Sequence, residues 1–154
     1  MSDPVPRFAH VGLIAVAGFN LVSAVVGAVG LIAFDGMGIP LRWLSGTPFA
    51  TYFWPGVILG VVVGGSQALA LLALLRRHRL ARGLSAAAGL VMMIWIFVEI
   101  ALLLVWSPLH AIYFVAGTVQ VVLAVLALGA VPSPLFPRGP RDDRVGARRQ
   151  GAGG

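Results

Sequence analysis

Met92-Met93-Ile94-Trp95-Ile96-Phe97-Val98-Glu99-Ile100-Ala101-Leu102-Leu103-Leu104-Val105-Trp106 decides how the chain is read. It closes an apolar run over residues 83–106. At about 1.5 Å per residue that run is long enough to cross the ~30 Å hydrocarbon core of a bilayer. Inside it sits one carboxylate, Glu99. An ionisable side chain at the membrane centre costs roughly 2.5 to 3.5 kcal/mol on insertion scales, so it is expected to turn toward protein and to mark a functional site.

Three further apolar runs of spanning length lie at residues 9–34, 54–75 and 111–131. Together the four define an all-α, polytopic membrane protein, a bundle of four transmembrane helices. Composition agrees: of 154 residues 59% are hydrophobic and only 10% charged, which a soluble domain does not show. Residues 1–8 read as a short polar N-terminal start. Arg7 ahead of an apolar run also opens a signal peptide, but this run exceeds an h-region of ~7 to 15 residues and lacks a convincing small-x-small cleavage site before the next polar stretch. Residues 35–53 mix Gly36, Gly38, Pro40, Gly46 and Pro48 with Trp43, Phe49, Tyr52 and Phe53, the pattern of a loop lying on the membrane surface. Ser107-Pro108-Leu109-His110 makes a tight turn between the last two spans.

Orientation follows from arginine. Arg7, the loop of residues 76–82 with Arg76, Arg77, Arg79 and Arg82, and five Arg in residues 132–154 fall on one side, while Arg42 alone falls on the other. The positive-inside rule then places both termini in the cytoplasm. All 11 basic residues are Arg and none is Lys, a usage of GC-rich genomes, and a multi-pass protein of the bacterial inner membrane is expected. The tail, residues 132–154, has too few apolar residues to form a core and reads as disordered. Its Arg side chains attract anionic lipid at the cytoplasmic face, at about 1 kcal/mol each near the surface. The net charge of +6 does not point to nucleic acid, because the Arg residues flank apolar spans. The absence of Cys excludes disulfides, zinc thiolates, iron–sulfur clusters and a thiol nucleophile.

In lipid, helices associate through close backbone approach and hydrogen bonds, so small and polar residues mark inner faces. Gly56, Gly60, Gly64 and Gln67 form one stripe in the second span; Asn20 and Gly27 mark the first, and Tyr113, Gly117 and Gln120 the fourth. The stripe is open to two readings, packing within one chain or pairing of two copies in a homo-oligomer. In the third span Trp95 shares the face of Glu99. Asn20, Gln67 and Gln120 are expected in one layer, with Glu99 about one turn nearer the outside. Such amides are often plain interhelical glue, worth ~0.6 kcal/mol on average. His110 stands near the outer mouth, but counting along the helices puts it more than about 10 Å from Glu99. His10, His78 and His110 share no depth and face, so neither a bis-His haem nor a metal site is expected, and no nucleotide or hydrolase motif occurs. No cofactor is implied.

Thr47-Pro48-Phe49, Tyr52, Pro55-Gly56, Gly60, Gly64, Trp95-Ile96 and Glu99 resemble the pattern of four-span membrane proteins of GC-rich bacteria, over about residues 9–131. That resemblance implies no activity. The plan is also similar to that of the DoxX-type small four-span proteins, without a motif that matches residue by residue. Three functions stay open. The first is a non-catalytic protein that binds a membrane protein partner or an apolar small molecule between its helices, oriented by Asn20, Gln67, Glu99 and Gln120. The second is a proton-coupled small transporter using Glu99. The third is a membrane enzyme with Glu99 as acid or base beside His110 or Tyr113, which the counted separation disfavours.

Overall fold

The computed structural model describes residues 4–129, with side chains from residue 7 onward. The basic tail of residues 132–154 lies outside the described residues. Four long helices carry the fold: α1 (Pro4–Ala33), α2 (Phe53–Leu75), α3 (Ala81–Leu103) and α4 (Pro108–Leu128). All four are long and apolar enough to cross a membrane. Only 22% to 28% of the most apolar window of each span is buried, so most of its apolar side chains face outward, as a lipid-facing surface requires.

The helix ends differ from the sequence reading in ways that matter for the site. Helix α1 starts at Pro4 rather than near residue 9, because Pro4 and Pro6 fall in the first turn, where a missing N–H breaks no intrahelical bond. Helix α3 stops at Leu103, three residues before Trp106, where Leu104 adopts the left-handed conformation with φ 52°. The next helix starts at Pro108 rather than near residue 111, because Ser107 caps it and Pro108 occupies its first position. The side chain of Ser107 accepts from Leu109 N, and His110 Nδ1 accepts from Ser107 N at 2.9 Å. This is a capping box with His in the place usually held by Glu or Gln.

Each helix packs chiefly on two neighbours, α1 on α2 and α4, and α3 on the same pair. Two apolar clusters fill the interior. Leu13, Ala17, Ala73, Leu74, Ala81 and Ala124 form one, toward the end that holds the Arg76–Arg82 turn. Ala24, Val63, Met92 and Ile96 form the other, toward the opposite end. Between them lies the amide layer described below. Helices α3 and α4 meet at a pair of glycines: a Cβ on Gly89 would come within 2.8 Å of Gly117 O, and one on Gly117 within 2.9 Å of Gly89 O. The two backbones approach too closely for any other residue type at either position. Gly117 lies on the small-residue face of the fourth span, and Gly89 stands one step of four beyond Ser85 on the third.

The glycine stripe of α2 is spent inside the chain. Gly56 lies against Leu31 and Ile32, Gly60 against Ala28 and Gly64 against Ala24, all on α1, and Gly27 of α1 in turn receives the side chain of Leu59. Helix α2 is not uniform, however. Residues Leu59–Gly64 form a π turn, with Gly65 N–H reaching back to Gly60 O. The widened turn carries about one extra residue, which rotates everything after it by roughly a quarter turn relative to a continuous α-helix. Gln67 thereby leaves the α1 side, on which the glycines sit, and points toward α3 and α4.

Candidate functional site

The polar residues of the spans separate into two groups. Asn20, Gln67 and Gln120 have no exposed surface and form one chain of hydrogen bonds. Asn20 Nδ2 donates to Gln120 Oε1 at 2.9 Å, Gln120 Nε2 donates to Gln67 Oε1 at 2.9 Å, and Gln67 Nε2 donates to Ala88 O at 3.1 Å. The chain links all four helices. Its one defect is Asn20 Oδ1, buried without a partner. Sealed between the two apolar clusters, these amides touch neither cavity described below.

Glu99 stands apart, one turn from the end of α3. Its Oε2 lies 3.7 Å from Nε2 of His110, with 29% of the Glu99 side chain and 11% of the His110 side chain exposed. The separation of more than about 10 Å counted from the sequence is therefore overturned. Its cause is the early stop of α3 at Leu103 and the early start of α4 at Pro108, which bring the first turn of α4 level with the last turns of α3. The cap also selects the tautomer. With Nδ1 accepting from Ser107 N, the ring proton resides on Nε2, the nitrogen that faces Glu99.

The other side of Glu99 opens on a cavity of about 380 Å³ lined almost wholly by apolar side chains. Residues 35–53 roof it. They do not simply lie on the membrane surface: Leu44 and Tyr52 turn inward and are 4% and 3% exposed. Tyr52 fits because Gly36, at φ 82° and without a Cβ, lets the phenol ring lie directly on its backbone. Tyr52 OH donates to Pro40 O at 3.0 Å, pinning the roof. Burial, and after it the Asp35 carboxylate, push the Tyr52 phenol above its ordinary range, so it stays protonated as the donor of that bond. Thr47 closes a second turn, donating to Leu44 O at 2.9 Å and accepting from Phe49 N at 3.2 Å. Glu99 is the one charged residue in the cavity wall among the described residues.

Of the remaining candidate residues, Trp95 lines the cavity beside Glu99 and packs on the cluster of Ala24, Val63, Met92 and Ile96. Tyr113 packs on the same cluster but stacks on Phe19, with ring centroids 6.1 Å apart, and makes no hydrogen bond to Glu99 among the described residues. His110 also borders a smaller groove of about 240 Å³ with Phe97, Trp106 and Phe114. The Glu99–His110 pair thus stands between the roofed cavity, which opens sideways past the exposed Val62, Ile94 and Val98, and a second, smaller groove. Arg76, Arg77, Arg79 and Arg82 are exposed in the turn at the other end of the molecule. Among the described residues no three His, Asp or Glu side chains are grouped to hold a metal ion. The roof residues Leu44, Thr47 and Tyr52 were missed as site residues. Their signal was an aromatic-rich loop with two possible destinations, the headgroup zone or the helix ends. Comparison with protein families, with curated proteins and with solved structures found no match.

Proposed function

We propose that this chain is a multi-pass inner-membrane protein, both termini cytoplasmic, that holds an apolar small molecule in the roofed cavity without chemically changing it. The observation that carries the reading is the cavity of about 380 Å³, apolar but for Glu99, within the size range of small-molecule sites. Arginine supports the orientation: Arg7 and the Arg76–Arg82 turn share the end opposite the cavity. The same arginines are suited to anionic lipid. The amide layer acts as glue in this reading and not as a ligand-orienting surface, since it is closed off from the cavity. Purification in mild detergent, followed by extraction and mass spectrometry, tests the proposal. A stoichiometric apolar molecule that is lost when Val98→Trp fills the cavity supports it; an empty protein whose Trp fluorescence no apolar probe quenches refutes it.

A second reading is favoured by the 3.7 Å approach of His110 to Glu99. Two titratable groups within reach of one water can pass a proton, which suits proton-coupled transport or acid–base work on a bound molecule. Proton-driven flux of a bound compound in vesicles, abolished in Glu99→Gln, would support it. Identical flux in wild type and variant would exclude it.

A further inference from the structure

Resting on the proposal that the cavity binds a small molecule, we infer that its ligand is a lipophilic amine, bound as an ammonium ion with the cation against Glu99 and the apolar body under the roof. The charge distribution selects this class. Among the described residues Glu99 is the one charged residue lining the cavity, and neither Arg42 of the roof nor any other described Arg reaches the wall. An acidic ligand would meet a like charge in an apolar chamber. A wholly apolar ligand would offer the Glu99 carboxyl group no hydrogen-bond partner, and a polar group closed off without one is costly. An ammonium group supplies both the opposite charge and hydrogen-bond donors, the combination that makes burial of a carboxylate tolerable.

His110 fixes the side from which the cation arrives. Its Nε2–H faces one oxygen of Glu99 at 3.7 Å, longer than a formed hydrogen bond. A donor directed at the carboxylate from the α4 side leaves the cavity side for the ligand. Aromatic rings complete the site: Phe49, Tyr52 and Trp95 line the same cavity, and faces of such rings attract cations. At about 380 Å³ the space suits one compact apolar body and not a two-chain phospholipid.

The test uses the full chain in neutral-detergent micelles and three probes with one skeleton: 1-aminoadamantane, 1-adamantanol and adamantane-1-carboxylate, followed by calorimetry and Trp fluorescence at pH 7. The amine is expected to bind at least tenfold more tightly than the alcohol, and the carboxylate more weakly than both. Glu99→Gln is expected to bring the amine down to the level of the alcohol, whereas Glu99→Asp keeps the preference. Equal binding of amine and alcohol by the wild type overturns the inference while leaving an apolar site standing. An amine preference that survives Glu99→Gln overturns it as well. Binding of none of the three probes removes both the inference and the cavity reading.

Discussion

The amide layer and the Glu99 site are both polar points within an apolar chain, yet they are built in opposite ways. Asn20, Gln67 and Gln120 spend their groups on one another and on Ala88 O, with no exposed surface and an apolar cluster on either side. Glu99 spends nothing on a helix backbone. It meets one histidine at 3.7 Å and leaves its remaining surface toward an apolar cavity. The contrast teaches that polarity in a span does not by itself distinguish a fastening from a site. What distinguishes them is whether hydrogen-bonding capacity is used up inside the protein.

Four substitutions can break or sharpen that contrast, measured as unfolding free energy in mixed micelles and amine affinity side by side. The largest effect is expected from Gly89→Val, which drives α3 from α4 and pulls the amide chain apart, at about 3 kcal/mol of overpacking. Gln120→Leu follows. It strands Gln67 Oε1 and Asn20 Nδ2 together, an expected loss of about 2 kcal/mol with amine binding within twofold of wild type. Asn20→Leu should cost less, about 1 kcal/mol, because it strands only Gln120 Oε1 and at the same time removes the partnerless Oδ1. Equal losses for Gln120→Leu and Asn20→Leu would show that Oδ1 is satisfied in the membrane. Glu99→Gln should be the mildest in stability, within about 0.5 kcal/mol, although it removes the amine preference. Were it to destabilise as much as Gln120→Leu, the two regions would be one structural network and the contrast would fail.

The all-helical plan was legible because length and hydropathy together leave no other use for four apolar runs, and the amide layer because Asn20, Gln67 and Gln120 fall at similar counted depths. The meeting of Glu99 with His110 was not. It depends on where two helices stop and start, on the left-handed turn at Leu104 and on a cap formed by Ser107, and apolar flanks such as Leu104-Val105-Trp106 continue the hydropathy signal past the true end. Nor was the roof legible. Aromatics at a span end are drawn equally to headgroups and to a gap between helices, and only the backbone freedom of Gly36, which admits the Tyr52 ring, decides between them.

The π turn at Leu59–Gly64 makes α2 a helix of two differently aimed halves. Above it the segment is keyed to α1 through Gly56; below it, Gln67 joins the central amides while Ala73 and Leu74 pack with Leu13 and Ala17 of α1. Because the turn holds about one residue more than α winding needs, loss of a single residue there would straighten the winding and leave Gln67 in register, whereas α winding at full length would swing it away. The width of one turn, more than any single side chain, is what aims Gln67 at α3 and α4 while the glycines above it stay on α1.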